Sequence, residues 1–591
     1  MNGTDQKPIV IGMVLEDIFA DFSKELIENV MNAIPEKRNI RLVVLPGRYY
    51  NSEYHPHLRG EDVCEYNEVY NSIFRLGEQC NFDGFIVHIG NLSSDRRNTV
   101  DDSLMANFRN VPSVFIATDI KDVTHVVYDN EKGIREAIDY LVKINGFSRI
   151  CMLGGRADNM DSMLRKDIFI RCLESNGIQY SEDIFINTDM SVNCTEEAAE
   201  LLDRNPLVQA IFCVNDASAK ALYSVMEKRG LVPGQDIYVF GFDNTHMASE
   251  MIPSLASIGC DRCTLGAKAL ELLLSKLNGF EVSSALVPTR LYGRESFHYE
   301  MYDYTTVEMK KNDPAFINRM FDDCFYRYRN QVIRREDVDL RRLFYEFISR
   351  ILNAHKRRYV SKETYQALCK MIDRFFDQGA MAYTDAGKLI HSIDHLQAGI
   401  NSEKSSIAAN LMINRLFSRM RDRAIIALSE QNIRDMSLIS ESQSMLQDYL
   451  ITCMINGNTV PDSSLRSLNK LGMHNAAIFV FDQSVTYSRH QHNAFPKRIR
   501  LYCVIKSGDL YILAKERQQC RLADIFIRNE LPVKCKSYAV FPIFYSERIY
   551  GIMLCELTGD IFTRGEFLSM QIGRSFYISD LQREKNLPKQ E

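Results

Sequence analysis

Residues 210–243 read AIFCVNDASAKALYSVMEKRGLVPGQDIYVFGFD. The run 210–214 is short and apolar and stops at Asn215-Asp216. Leu222, Val225 and Met226 then repeat at helical spacing. Gly230 and Pro233-Gly234 break that helix, and 237–240 is a second apolar run that ends at Gly241-Phe242-Asp243. Strand, helix, strand in this order builds a parallel sheet, which gathers the carboxyl ends of its strands on one edge. Open α/β sheets bind ligands at that edge. Asn215 and Asp243 are therefore expected side by side over one cleft, offering an amide and a carboxylate to a polar small molecule.

The same alternation runs through residues 7–300. Strands are expected at 9–15, 40–45, 83–87, 111–116, 149–153 and 183–186, with helices at 131–144, 163–175 and 195–203. Leu26, Ile27, Val30, Met31 and Ile34 mark a further helix face. Nearly 300 residues of this pattern imply two α/β lobes.

From about residue 301 the pattern changes. Residues 301–404 carry long amphipathic segments, with Leu343, Phe344, Phe347, Ile348 and Ile351 on one stripe. Residues 405–450 read as one long helix whose Ile413, Leu416, Met420, Ala424 and Leu428 lie near heptad spacing, the pattern of a coiled coil or signalling stalk. Strands return in 451–584, at 476–481, 499–505, 510–514, 538–545 and 549–557. Thr563-Arg-Gly-Glu566 has the form of a capping box before a closing helix. An α+β domain is expected there.

Composition narrows the classes. The chain has 591 residues, 46% hydrophobic and 25% charged, with net charge −6, values of an ordinary globular protein with two to four domains. The acidic balance argues against a large nucleic-acid surface. No window offers a membrane span, and the first seventeen residues lack the basic and apolar regions of a leader. The fifteen cysteines show no framework, so they read as reduced core residues of a cytoplasmic protein. Cys260-Asp-Arg-Cys263 has no second pair nearby, which makes it a weak zinc or redox signal.

Several segments of 7–300 occur in the order of a known family. They are Ile11-Gly-Met-Val-Leu-Glu-Asp17, Asp83-Gly-Phe-Ile-Val87, Val127-Tyr-Asp-Asn130, Ile150-Cys-Met-Leu-Gly-Gly155, Arg165-Lys-Asp-Ile-Phe169, Val214-Asn-Asp216, Gly241-Phe-Asp243, Pro288-Thr289 and Arg294-Glu-Ser296. Together they resemble the ligand-sensing core of LacI/GalR-type transcriptional regulators, a periplasmic-binding-protein type 1 fold. The resemblance implies two hinged lobes with a small molecule, often a sugar, between them. It places Arg165, Asn215 and Asp243 as second-lobe ligand contacts and Asp17 and Phe19 as first-lobe contacts. Ile168 stands where the family's helix usually has glycine. The sensor strand already starts at Ile9, so the helix-turn-helix head of family repressors is not expected here. Residues 301–584 are similar to bacterial hybrids in which such a sensor precedes a helical segment and a GAF-like domain.

Other features have plainer readings. His391 and His395 are spaced i, i+4 and could bind a metal, but no third ligand follows, so a solvated helix face is expected. The basic run 355–358, with Arg341, Arg342 and Arg350 before it, is interleaved with Glu336, Asp337, Asp339 and Glu346 and reads as a charged helix surface. No phosphate loop, nucleophile elbow or HExxH motif occurs, so no catalytic residue, cofactor or metal is assigned. The expectation is a non-enzymatic, dimeric sensor whose sugar-like ligand closes two lobes and whose signal passes to the C-terminal region. Two alternatives stay open. One is a DNA-binding factor with an unrecognised module in 305–400. The other is a sensor or adaptor fragment of a GGDEF-type protein that acts on a separate output protein.

Overall fold

In the computed structural model, residues 7–586 are described apart from 17, 19–20, 36–37, 49–59, 89–107, 109–110, 118–122, 158, 261–263, 298–313, 326–327, 329–338, 385, 403–405, 457–472, 489–490, 529 and 532–536. The chain forms two compact units. One holds residues 1–127, 262–287 and 437–591, the other 128–261 and 288–436.

Residues 7–297 alternate strand and helix as their apolar pattern requires. In chain order they form β1 (Ile9–Leu15), α1 (Asp21–Ala33), β2 (Ile40–Pro46), α2 (Gly60–Asn71), β3 (Gly84–His88), β4 (Ser113–Ile116) and β5 (His125–Asp129). Next come α3 (Asn130–Asp139), β6 (Ile150–Leu153), α4 (Met160–Ser175), β7 (Phe185–Ile186), α5 (Thr195–Arg204), β8 (Ala210–Cys213) and α6 (Asp216–Lys228). The stretch closes with β9 (Tyr238–Phe242), β10 (Ala256–Gly259), α7 (Thr264–Leu277), β11 (Ala285–Pro288) and β12 (Arg290–Tyr292). The helix expected at 131–144 is α only to Asp139, and Tyr140–Ile144 winds as a π turn.

The C-terminal part has β13 (Ala476–Ser488), β14 (Gln491–His492), β15 (Arg498–Lys506), β16 (Asp509–Tyr511), β17 (Gln519–Arg521), β18 (Ser537–Tyr545) and β19 (Arg548–Glu556). In the first unit β1 to β5 pair in parallel, but the sheet does not stop at β2. β18 joins β2 in parallel, setting Ser537, Tyr538 and Ala539 opposite Leu42, Val43 and Val44. The sheet then continues antiparallel through β19, β13, β15 and β16. The strands of 451–584 are thus a continuation of the first lobe's sheet rather than a sheet of their own. An uncovered β2 would present a row of unsatisfied peptide groups, and β18 satisfies them.

Side chains reinforce this join. Arg41 reaches the Phe526 carbonyl and lies over the Tyr538 ring, 5.7 Å from its centre. Gln79 donates to the Phe495 carbonyl at 2.9 Å and accepts from the Phe495 amide at 3.3 Å. The Asn81 amide donates to the Ala523 carbonyl at 3.1 Å. Arg48 forms an ion pair with Glu566 at 3.1 Å, and the Tyr66 hydroxyl donates to the same carboxylate. Glu566 therefore does not cap a helix, as the motif 563–566 implied. The closing helix α13 begins earlier, at Gly559, and runs to Asn586. A side chain at Gly573 would meet the Phe544 carbonyl oxygen at 2.0 Å, so glycine lets α13 lie directly on β18.

The second unit has a six-stranded sheet in the order β12-β10-β9-β8-β6-β7, parallel except at β12. Leu222, Val225 and Met226 bury against Ile211 and Val239, while the Phe212 and Phe240 rings stack at 4.9 Å. The same unit contains α8 (Pro314–Cys324), α9 (Leu340–Lys356), α10 (Lys362–Asp377), α11 (Ala386–Asn401) and the start of α12 (Ile407–Asn456). Phe321, Phe325, Phe344, Phe347 and Phe375 interlock as their core. Ile413, Leu416, Met420 and Ala424 are buried in this core and Leu428 packs at its margin. That heptad-like stripe is the helical region's own interior, which is why it repeats so regularly.

The Arg48–Glu566 pair supplies the first test. Glu566→Ala would leave a largely buried guanidinium without its carboxylate, at a cost of about 3 kcal/mol. Urea unfolding of the full chain measures it, and an unchanged midpoint would show that the pair adds nothing to the join.

Candidate functional site

The carboxyl ends of β6, β8, β9 and β10 share one edge, and the polar residues expected there split into two groups. The first centres on Arg165. Helix α4 starts at the cap Asn159, which accepts from the Ser162 amide at 2.9 Å, and carries Arg165 one turn further on. Arg165 is only 3% exposed. Its Nε donates to Asn130 Oδ1 at 3.1 Å, its Nη1 to the Val214 carbonyl at 2.7 Å, and its Nη2 to Asp243 Oδ1 at 3.4 Å. The guanidinium carbon lies 3.6 Å from the centre of the Phe242 ring. The planar fork is fixed on every side and points one arm at Asp243.

Asp243 is the open member of this group, with 29% of its side chain exposed. Burial raises its pKa, Arg165 lowers it, and Asp161 raises it again. Its backbone has φ +95°, and Asn244 follows at φ +48°. Two consecutive residues in the left-handed region are costly for side chains other than glycine. The turn is held by the Asp243 amide on the Ile258 carbonyl (2.8 Å) and the Asn244 amide on Ser257 Oγ (2.9 Å). Arg294 adds Nη2 to Asn244 Oδ1 at 2.6 Å.

The second group is structural and corrects the sequence reading. Asn215 does not face outward as a free amide. Its Oδ1 accepts from the Ser218 amide at 2.8 Å, capping α6, and its Nδ2 donates to the Met190 carbonyl at 2.9 Å. Asp216, expected as the cap, is instead fully enclosed. It accepts from the Thr245 amide and hydroxyl, both at 2.8 Å, and from Ser257 Oγ at 2.6 Å. A side chain at Gly241 would meet Asp216 Oδ1 at 2.3 Å, which explains the glycine before Phe242. Asp216 ties the start of α6 to the strained turn that presents Asp243.

Sequence reasoning missed two neighbours of Arg165. Asn130 is buried, holds Arg165 and reaches Asp161 at 3.5 Å, while Asp129 beside it caps α3. Tyr128 is buried edge-on to Phe242, with its pKa raised by burial and by nearby Cys260 and Asp243. Both lie in the segment 127–130, which was read for its helix rather than for its side chains.

In the first lobe, Asp17 and Phe19 lie outside the described residues. His88, at the end of β3, is described and was not singled out. It is buried with its ring 4.9 Å from that of Phe22, and burial lowers its pKa to about 4, so it is a neutral imidazole near neutrality.

Elsewhere, Arg341 pairs with Asp322 and Arg342 with Glu346, as a charged helix surface does. His391's side chain and Cys263 lie outside the described residues, which contain no group of three metal-ligating side chains. Among the described residues, no helix is long and apolar enough to cross a membrane.

Comparison with known proteins bears on this edge, because residues 123–297 match the periplasmic binding protein-like domain. This chain carries such a domain. The HTH-type transcriptional repressor PurR of Vibrio atlanticus (strain LGP32) is 24% identical over 221 residues, 36% of this chain and 64% of PurR. Catabolite control protein A of Priestia megaterium is 26% identical over 298 residues, 49% of this chain and 82% of that protein. The chain spans less than two thirds of the PurR relative's length. A LacI family transcriptional regulator from Mycobacterium smegmatis aligns over 49% of this chain and all of its own, at 20% identity and TM-score 0.40. The relatives are named as transcriptional regulators, and the match covers the segments that build the Arg165 site.

Asp216 gives a pH test. Burial, then repulsion from Asp243, raises its pKa to about 7, well above its unfolded value. The unfolded chain therefore releases this proton first, so stability from this group is full at pH 4 and is lost as pH rises toward 7. The shift corresponds to roughly 4 kcal/mol at most. Asp216→Asn should remove this component. Denaturant unfolding at pH 5 and pH 8 should show wild type losing stability relative to the variant at the higher pH. Parallel behaviour of the two proteins would refute the assignment.

Proposed function

We propose that this chain is a ligand-sensing regulatory protein, in which a polar small molecule, a sugar or sugar derivative, binds between two α/β lobes. The observation that carries this reading is the Arg165–Asp243 arrangement. A guanidinium locked on Phe242 by Asn130 and the Val214 carbonyl holds a part-exposed carboxylate on a strained turn at a strand-end edge. Such a carboxylate accepts from adjacent hydroxyls, and the fixed fork keeps it ionised and oriented without the ligand's help. The likeness of 123–297 to the periplasmic binding protein-like domain supports the same reading. Asn215 then acts from behind, placing the Val214–Asp216 segment, and Asp17, Phe19 and His88 are the first-lobe candidates.

The ligand acts by binding one lobe arrangement more tightly than another, since equal affinity for both would shift nothing. The output passes through residues 301–584, as in GAF-containing hybrid sensors, and the protein does no chemistry of its own. Nothing in this reading requires a cofactor.

A thermal-shift series on the full chain tests it, using monosaccharides, disaccharides and nucleosides as probes. A probe at 100 times its dissociation constant should stabilise the protein by about 2.7 kcal/mol. Asp243→Ala should fold and lose that shift. A variant that keeps the shift would remove Asp243 from the site.

A further inference from the structure

Helix α12 has two apolar faces. The inner one, through Ile413, Leu416, Met420 and Ala424, is buried in the helical core. At 100° per residue, Ile407, Leu411, Ile425, Ile426, Ile433 and Met436 fall within one sector of about 100°, directly opposite. All six are exposed, at 89%, 53%, 58%, 43%, 62% and 72%. Six large apolar side chains so exposed leave several hundred Å² bare, more than scattered surface residues account for and near the ~800 Å² that each partner of a stable interface buries.

We infer that this outer stripe is a self-association surface, covered by α12 of a second copy of the chain. Three features select that occupant. The stripe is narrow and about 44 Å long, a shape that another helix of equal length fills and a globular pocket does not. Its charges are balanced: exposed Arg415 and Asp422 lie on it, and exposed Glu430 and Arg434 flank it, so the face does not repel itself. That balance also lacks the basic excess with which interfacial helices meet a lipid surface. A second copy brings a stripe of the same period and length by symmetry. The inference needs no ligand, and failure of the ligand reading would leave it intact.

The test is the mass of the full chain in solution. Sedimentation or light scattering over a concentration series should give a dimer for wild type. Ile433→Glu with Met436→Glu should give a monomer with unchanged helical circular dichroism. Ile144→Glu, at an apolar residue 71% exposed outside this helix, should stay dimeric. If the double variant misfolds, Ile433→Cys treated with a short bismaleimide should yield a covalent dimer that wild type, with its native cysteines, does not. A monomeric wild type, a dimeric double variant of native helicity, or a cysteine variant that crosslinks no better than wild type would overturn the inference. The last two would point to an interface elsewhere, or to cover by a segment of the same chain.

Discussion

Three residue pairs between β2 and β18 fix more of this molecule than any other contact. Setting Tyr538 opposite Val43 turns the last strand of a parallel lobe into the middle of a mixed sheet. The C-terminal strands then cannot move as a separate body without breaking a ladder inside a hydrophobic layer. The Arg48–Glu566 pair extends the same bond to α13, and Arg48 follows directly after β2, at the strand-end side of the first lobe. What resembles a downstream domain in sequence is, in the fold, part of the first lobe's scaffold.

The alternation in 7–300 was legible because each strand and helix buries its apolar face within a few dozen residues. The sheet join was not, because it pairs residues nearly 500 positions apart and no local period encodes that. One signal was present. The segment SYAVFPIFY is apolar almost throughout rather than alternating, and all but its last residue are buried. Strands covered on both faces have that composition, whereas a strand with one wet face alternates.

The site shows the same limit at a finer scale. Sequence order put Asn215, Asp216 and Asp243 on the right edge, but assigning roles required knowing which side chain turns inward. Asn215 caps α6 because its Oδ1 meets the Ser218 amide three residues on, and this sends Asp216 into the interior. Asp216 then meets Thr245 and Ser257, from two other segments, which no local pattern announces. Arg165 was visible by position, yet its hold on Phe242, Asn130 and Val214 comes from three distant segments. On α12 the heptad period was read correctly, but it described the stripe that faces inward.

These pieces bear jointly on how a sensor of this kind would signal. The chain passes between the two units after residues 127, 261, 287 and 436. The first three passages lie among the strands and loops of the α/β part, where a few dihedral changes can absorb a rotation. The fourth lies inside α12, a continuous helix of 50 residues. A helix absorbs little rotation without losing backbone hydrogen bonds, so a ligand that altered the relation of the units would load α12 directly. The first-lobe unit already contains the C-terminal sheet through β18, and the second contains the helical core through α8 to α11. The load would therefore fall on the segment just beyond Ile425, Ile433 and Met436, the residues of the outer stripe. Sensing and association would be coupled through one helix, without any separate linker between a sensor and its output.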